Sequence, residues 1–232
     1  MNLSKTNYTT DIPLVKGFTI REYDMVSAGL SVLINKKLIT EKEWKELSNL
    51  PKKERVIQVG LICKDNQSLA NEIESGIKYF VKQFCDLNEI SLDDIISVKK
   101  DAIFTIKHAK VLKIDEYINF NESNKFSSFV QVNEKEFYYS TWKNLLVTKG
   151  FGKIEEDHKD YFLNLIKNVI INIENLSKEN LIKKLAEIRR QYLDLELDKN
   201  CYRELNSFNA FRLKETLLGK VLFIEEWSND IE

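Results

Sequence analysis

The sequence predicts an α+β fold in which an antiparallel sheet, with helices packed on one face, precedes a subdomain of two helices. Three observations support this prediction. Residues 17–24 alternate apolar and polar side chains, which is the period of a half-buried strand. Helical spacing follows over residues 25–87, and strand-like runs occupy much of residues 95–139. Two long amphipathic stretches, 155–175 and 177–197, complete an order of elements that is typical of the α+β class.

The predicted helical region divides into four helices. The first helix follows the strand directly, over residues 25–38. Thr40-Glu41-Lys42-Glu43 has the form of a capping box and opens a short second helix. Pro51 suits the first position of a third helix over 51–63, where a run of apolar residues leaves a strand as the alternative. Residues 68–87 place apolar side chains along one stripe and predict the longest of the four helices.

The period changes after residues 91–94, which have the form of another helix cap. Two apolar runs, 95–98 and 102–106, flank Lys99-Lys100-Asp101 and predict either a tight hairpin or one bent strand. Further strands are predicted over 111–118, 127–132 and 136–139, and an irregular arm over 1–16. We therefore expect one compact unit with an α+β part over 1–153, which contains the helices between 39 and 88, and a helical part over 154–232.

Composition excludes several functional classes. Lys and Arg total 35 against 36 for Asp and Glu, which argues against a binder that relies on a large basic excess. Only two histidines and three cysteines are present, so zinc sites and disulfide scaffolds are disfavoured. Seven glycines in 232 residues likewise disfavour a glycine-rich phosphate loop. Any metal ion would therefore have to be held by carboxylates.

The sequence also gives an expected location and source. No stretch approaches the roughly 20 apolar residues of a membrane span, and the N-terminal residues contain no apolar signal-peptide core. Three scattered cysteines point to a reducing compartment, so we expect a cytoplasmic protein. Abundant Ile, Lys and Asn beside two prolines suggest an AT-rich coding source, such as a low-GC bacterium or its phage.

Two acidic residues occupy positions unlike those of ordinary surface carboxylates. Asp24 closes the first predicted strand, and Asp101 lies between two apolar runs. In a β-α-β-β arrangement, the end of the first strand and the hairpin of the next two lie side by side, so both carboxylates can point at one place. Such a pair suits Mg²⁺, which takes hard oxygen ligands and keeps several waters. The simpler interpretations are a helix N-cap for Asp24 and a turn residue for Asp101.

The segments around both residues resemble motifs of template-dependent DNA polymerases. Residues 23–33, YDMVSAGLSVL, are similar to the first palm motif of families A and B, in which a strand-end Asp precedes a helix. Residues 98–104, VKKDAIF, resemble the palm motif that supplies the second metal-binding Asp. Lys149-Gly150 is weakly similar to a Lys-Gly element that follows in family B. Gly29 stands where both families carry a side chain beside the ribose, and only two acidic residues match.

This resemblance implies a palm-like (RRM-like) sheet, with the helices over 39–88 as reduced fingers and residues 154–232 as a thumb-like part. It implies that Asp24 and Asp101 are the catalytic and metal-binding residues, with Mg²⁺ or Mn²⁺ as the cofactor. The implied activity is a nucleotidyltransferase that adds nucleotides to a 3′ hydroxyl. Its partners would be a primed template, a nucleoside triphosphate and, in a split enzyme, a second protein subunit.

Basic residues supply candidate phosphate contacts, since lysine and arginine bind phosphates as point charges or bidentate donors. Nucleotide or phosphate binding is predicted for five of them: Lys52, Lys53, Arg55, Lys99 and Lys100. Nucleic-acid binding is predicted for Lys149, Arg189 and Arg190. In a lysine-rich chain, such clusters also occur as ordinary solvated helix faces. The alternative function is a non-catalytic palm-like or unrelated α+β protein that binds nucleic acid or a protein partner, as a phage or mobile-element accessory factor.

Overall fold

The computed structural model of the chain describes residues 7–12, 14–132, 135–150, 177–196, 204–205 and 210–211. Within these residues the strands are β1 Asn7–Thr9, β2 Leu14–Met25, β3 Ile95–Lys99, β4 Ala102–Thr105, β5 Phe120–Val132, β6 Lys135–Ser140, β7 Leu145–Lys149, β8 Glu204–Leu205 and β9 Ala210–Phe211. The α-helices are α1 Ala28–Asn35, α2 Glu41–Ser48, α3 Lys52–Asp65, α4 Gln67–Leu87 and α5 Lys178–Leu193, and a 3-10 helix spans Leu92–Asp94.

The predicted α+β class is confirmed. Seven strands form one sheet in the order β1-β3-β4-β2-β5-β6-β7, and β8 and β9 form a separate pair. The registered neighbours are antiparallel, which is compatible with a palm-like fold. The chain divides into two compact units, one made of residues 1–11 and 20–125 and the other of residues 12–19 and 126–232. Both β2 and β5 contribute residues to each unit.

The capping signals locate the helices between β2 and β3 well. Thr40 and Glu43 form the predicted capping box, in which the Thr40 side chain accepts a hydrogen bond from the backbone N–H of Glu43. The segment after Pro51 is the helix α3 and not the alternative strand, although Pro51 lies at the N-cap and not at the first helical position. The first helix is shorter than predicted, since α1 begins only at Ala28.

The segment between β3 and β4 is the predicted tight hairpin. Lys99 pairs with Ala102, so only Lys100 and Asp101 form the turn. The prediction of a strand over 111–118 is wrong, because the segment forms only an isolated bridge between Lys113 and Asn119. Two strands of the seven-stranded sheet were not predicted, namely the short β1 in the predicted arm and β7, and the separate pair β8 and β9 was not predicted either.

The core of the first unit lies between the sheet and helices α1 and α4. Side chains of β2, β3, β4 and β5 face those of the two helices across it. Aromatic rings fill its centre, where Tyr23 and Phe84 lie 5.4 Å apart between ring centroids and Phe84 stacks on Phe120 at 4.2 Å. The buried members of this core are Tyr23, Met25, Ala28, Val32, Phe80, Val81, Phe84, Cys85, Ile90, Ile95, Val98, Ile103, Ala109, Ile118 and Phe120.

The second unit has its own aromatic packing on strands β5 and β6. Phe126, Phe129 and Tyr138 are fully buried, and the Tyr138 ring lies 5.0 to 5.3 Å from the two phenylalanine rings. The helix predicted over 177–197 corresponds to α5. The helix predicted over 155–175 and the predicted boundary near residue 153 lie outside the described residues and stay predictions.

Candidate active site

The end of β2 lies beside the β3–β4 hairpin, which brings Asp24 and Asp101 together. Asp24 pairs in register with Ala102, the residue that follows Asp101. The backbone N–H of Met25 donates a hydrogen bond to the carbonyl oxygen of Asp101 at 3.1 Å, so the pairing extends by one residue into the turn. Residues directly opposite on antiparallel strands have Cα atoms about 5 Å apart, so Asp24 lies about that far from Ala102, and Asp101 is one residue further along the chain. Both aspartates are therefore neighbours at one end of the sheet.

The alternation of β2 determines which face carries Asp24. Tyr23 and Met25 are buried in the core beneath the helices. Because successive side chains of a strand point to opposite faces, Asp24 belongs to the face that does not carry α1 and α4. Lys99, Ala102 and Asp24 are cross-strand partners in one row on β3, β4 and β2, so a lysine and an aspartate flank a small alanine on this face.

Asp24 is not the N-cap of the helix that follows it. The N-cap of α1 is Ser27, whose side chain makes no capping hydrogen bond. Asp24 is half-buried, and it forms no ion pair with any lysine or arginine among the described residues. The structural role that a strand-end aspartate most often has is therefore not the role of Asp24.

Electrostatic coupling joins the two carboxylates. Burial raises the pKa of Asp101 above its ordinary value, and the negative charge of Asp24 raises it further. The backbone N–H of Asp101 and the positive charges of Lys100 and Lys52 act in the opposite direction. Three charged residues on separate elements therefore act on Asp101. They are Asp24 at the end of β2, Lys52 at the start of α3 and Lys100 in the hairpin turn.

The two side chains carry oxygen ligands of the kind that a hard divalent cation takes. The neighbouring negative charge of Asp24 makes ionisation of Asp101 more costly, and a cation placed beside the two carboxylates would offset that cost. Among the described residues there is no group of three or more His, Cys, Asp or Glu side chains that could hold a metal ion. Two carboxylates match Mg²⁺, which is bound in many phosphate-transfer sites by one or two carboxylates, with waters and substrate oxygens completing the shell.

Backbone strain accompanies both aspartates. Ser27, three residues after Asp24, has φ 51°, and Lys100, directly before Asp101, has φ 56°. A residue with a side chain is uncommon at such angles, and each instance costs on the order of 1 kcal/mol. The same left-handed conformation occurs at Lys37, Glu89, Asn144 and Leu195, so the two segments share this strain with other turns and helix ends of the described residues.

The three basic residues predicted on α3 differ in their surroundings. Lys52 is exposed at the first position of the helix, and its charge reaches Asp101. Lys53 is exposed beside it. Arg55 donates a hydrogen bond from Nη1 to the carbonyl oxygen of Ser48 at 3.3 Å and is half-buried. Arg55 therefore holds α3 against the end of α2. Lys52 is the member of the trio whose charge acts on Asp101.

The hairpin lysines also divide. Lys99 donates a hydrogen bond from Nζ to the hydroxyl of Thr9 at 2.9 Å, which ties β3 to the end of β1. Lys100 is exposed in the turn, where its charge lowers the pKa of Asp101. An exposed cation next to a carboxylate suits a phosphate partner better than a lysine that already donates a hydrogen bond within the fold.

The predicted nucleic-acid contacts lie in the second unit. Lys149 is the last residue of β7 and pairs with Glu136. Arg190 is exposed on α5 and forms ion pairs with Asp194 at 3.1 Å and with Glu196 at 3.2 Å. Arg189 precedes it on the same helix, and its side chain lies outside the described residues.

Sequence reasoning missed Glu22, which shares a strand and a face with Asp24. Glu22 is 4% exposed, and its carboxylate accepts a hydrogen bond from the Asn124 side chain at 2.7 Å. The spacing of two residues within a predicted strand was the signal that could have found it. Glu22 is held by its own fold, so it lies next to the candidate site as a buried acidic neighbour.

The position of Gly29 has a packing explanation. A Cβ atom at Gly29 would lie 3.3 Å from Cγ1 of Val59 on α3 and 3.8 Å from Ile73 on α4. The missing side chain therefore allows α3 to approach α1 closely. The glycine that the resemblance places beside a ribose lies at a contact between helices in this fold.

Fold and geometry together define an α+β sheet protein with a pair of coupled carboxylates at a strand end. The chain matches the family model described as Bacteriophage PBS1 gene 130 protein over residues 1–227, and it belongs to that family. A comparison with the curated proteins finds no match to the chain. The family is a phage family, which agrees with the source expected from composition. None of the described helices is long and apolar enough to cross a membrane.

Proposed function

We propose that the protein is a metal-dependent nucleotidyltransferase that adds nucleotides to a 3′ hydroxyl, with Asp24 and Asp101 as its catalytic, metal-binding pair. The observation that carries the proposal is the register of β2 with the hairpin, which makes a strand-end aspartate and a turn aspartate neighbours on an antiparallel sheet. The proposal also draws on the resemblance of the two surrounding segments to polymerase palm motifs.

Each carboxylate has a defined task in this proposal. Asp24 and Asp101 hold Mg²⁺ or Mn²⁺ through hard oxygen atoms and fix its place at the sheet end. When bound, the metal ion lowers the pKa of the attacking hydroxyl and stabilises the leaving oxygens of an in-line phosphoryl displacement. Because burial and the charge of Asp24 make ionisation of Asp101 costly, a neighbouring cation would favour its charged, metal-binding form.

Lys52 and Lys100 orient the triphosphate in the same proposal. Both charges reach Asp101, from α3 and from the hairpin turn respectively. A nucleoside triphosphate that bridges the two lysines would place its phosphates over the carboxylate pair. Lys53, exposed beside Lys52, extends this basic edge, and a primed template and a partner subunit complete the machinery in the cytoplasm of the infected host.

Nucleotide incorporation tests the proposal. The full chain is incubated with primed DNA and primed RNA templates, labelled nucleoside triphosphates and Mg²⁺ or Mn²⁺. We expect Asp24→Asn and Asp101→Asn each to lower incorporation at least about 100-fold, since even the outer-shell partners of metal ligands contribute 10- to 100-fold. Asp86→Asn, at an exposed position of α4, is the matched control and should retain wild-type activity.

A binding measurement separates catalysis from a non-catalytic function. Titration calorimetry with Mn²⁺ should give one saturable process for the wild type and the Asp86 variant, and none for either site variant. If the wild type neither incorporates nucleotides nor binds the metal ion more tightly than Asp101→Asn, the nucleotidyltransferase proposal is wrong. The protein would then be a binding factor built on a palm-like sheet.

A further inference from the structure

Helix α3 is packed on one side only. Val59 approaches Gly29 of α1, and Arg55 bonds to the end of α2, so these residues define the inward side. On the outward side, three large apolar residues are exposed: Val56 at 64%, Ile57 at 51% and Leu61 at 49%. An isolated exposed apolar residue needs no explanation, but three within two turns of one helix form a patch.

Helical geometry arranges the outer residues into a stripe. Lys53, Ile57, Gly60 and Lys64 are spaced by four, three and four residues, so they lie on one line along the helix. Val56 and Leu61 flank this line on either side. The outer face of α3, defined by these six residues, is apolar in its middle and has a lysine at each end, with the exposed Glu54 at its edge beside Leu61.

Gly60 lies in the middle of this face without an internal reason. A Cβ atom there would meet nothing within 4 Å, in contrast to Gly29 on α1. Glycine inside a helix is destabilising relative to alanine, because it has more conformational freedom to lose on folding. The fold therefore carries a destabilising residue that its own packing does not require, and a close approach of another backbone from outside would explain it.

We propose that the outer face of α3 binds an amphipathic helix of a partner protein whose apolar stripe is flanked by acidic residues. The apolar centre takes the partner's apolar stripe, as in other helix-to-helix docking, and Gly60 lets the two backbones come close. Lys53 and Lys64 lie three turns apart and are complementary to acidic residues near both ends of the partner helix. This proposal shares Lys53 with the proposed nucleotide-binding edge, but it requires neither the carboxylate pair nor the nucleotidyltransferase activity.

The charge pattern disfavours two other occupants. In a two-fold contact between copies of α3, each lysine meets a lysine: Lys53 opposes Lys64 when the helices are antiparallel and its own copy when they are parallel. A nucleic acid would be attracted by the lysines but would have to cover Ile57 and its two flanking apolar neighbours, which offer its phosphates no hydrogen bond. A protein helix satisfies both the ends and the centre.

The test uses two synthetic 20-residue peptides with the same leucine stripe, one with glutamate and one with lysine on the flanking positions. Binding to the full chain is read by fluorescence anisotropy. We expect saturable binding of the acidic peptide, and binding at least ten-fold weaker for the basic one. Ile57→Asp should weaken acidic-peptide binding at least ten-fold. The double variant Lys53→Glu/Lys64→Glu should reverse the preference, whereas Lys42→Glu/Lys82→Glu, on α2 and α4, should leave it unchanged.

Gly60→Leu distinguishes a docking surface from an ordinary helix face. This variant should raise the thermal unfolding temperature, since leucine is a better helix former, and should weaken peptide binding at least ten-fold. Equal binding of both peptides, no saturable binding, unchanged binding by Gly60→Leu, concentration-dependent dimerisation abolished by Ile57→Asp, or oligonucleotide binding abolished by the same variant would each overturn the proposal. A wild-type chain that binds the acidic peptide but does not incorporate nucleotides would contradict only the nucleotidyltransferase proposal.

Discussion

Two glycines of neighbouring helices show opposite relations between sequence and fold. At Gly76 of α4, a Cβ atom would lie 2.4 Å from Cγ1 of Val32 on α1, so only glycine fits where the two helices meet. At Gly60 of α3, the same atom would meet nothing within 4 Å. The first glycine is required by the packing of the fold. The second weakens its helix without any benefit inside the fold.

The difference extends to the surroundings of each glycine. Around Gly76, the residues Val32, Phe80 and Phe84 are at most 4% exposed, and the helices pack tightly on the sheet. Around α3 and the hairpin, apolar side chains are exposed, Lys100 has a positive φ, and Asp101 bears the repulsion of Asp24. The residues around Gly76 are buried in tight packing, whereas the residues of α3 and the hairpin carry features that reduce stability. Functional sites commonly trade stability for activity. Under the proposed functions, substitutions should therefore lower the free energy of unfolding around Gly76 and raise it in the second region.

The largest effect is expected in the packed region. Gly76→Ala forces a methyl group into Val32, and overpacking a well-filled core costs about 1–3 kcal/mol or more. Alanine's better helix propensity offsets about 1 kcal/mol of this cost. We expect the free energy of unfolding to fall by about 2 kcal/mol, measured by urea denaturation monitored by circular dichroism.

A second substitution checks that the clash is the cause. Val32→Ala alone creates a cavity and should destabilise the chain, but it also removes both methyl groups that the new Cβ would meet. The double variant should therefore lose less stability than the sum of the two single variants, because residues in contact are not additive. Additive losses would show that the close approach of α1 and α4 is not what makes Gly76 necessary.

A smaller change of opposite sign is expected in the hairpin. Lys100 has φ 56°, which glycine adopts without a steric penalty. Lys100→Gly should therefore raise the free energy of unfolding by about 1 kcal/mol, measured by the same urea denaturation. If Lys100 orients a triphosphate, the variant should also raise the KM for the nucleotide. Lys100→Ala is the control, since it removes the charge and leaves the strain. A glycine variant no more stable than the alanine variant would contradict the strain argument.

The sequence predicts most of the fold wherever local signals agree with packing. The Thr40 capping box and the apolar stripe of residues 68–87 locate α2 and α4 to within a residue. One exception is residues 111–118, which contain apolar residues but form only an isolated bridge at Lys113. The Asn88 side chain accepts hydrogen bonds from the backbone of Lys110 and Val111 at 2.7 Å and donates one to Val111 at 2.8 Å. A distant side chain thus satisfies backbone groups that would otherwise pair in a sheet.

The candidate site is less fully encoded. Alternation in β2 and the short hairpin turn predict that Asp24 and Asp101 are neighbours, because register follows from both. The packing role of Gly29 and the reach of Lys52 to Asp101 depend on where α3 settles, and no local pattern specifies that. Positive φ at Ser27 and Lys100 is equally invisible in sequence, since neither residue type favours it.

The smallest expected effect is a pH dependence of the free energy of unfolding that arises from Asp101. Because its pKa is raised in the folded chain, its stabilising contribution is fully present below the ordinary value of 3.8 and is lost as pH rises through the raised pKa. Asp101→Asn should therefore be more stable than the wild type at pH 7, and the gap should close as pH falls below 3.8. Asp94 is the matched control at the other end of β3. Burial raises its pKa, but hydrogen bonds from Ser91 outweigh this and lower it, so Asp94→Asn should be less stable than the wild type at pH 7. The measurement is urea denaturation from pH 3 to pH 7. If both variants were less stable than the wild type at pH 7, the ionised Asp101 would stabilise the fold. The hairpin would then resemble the packed region around Gly76.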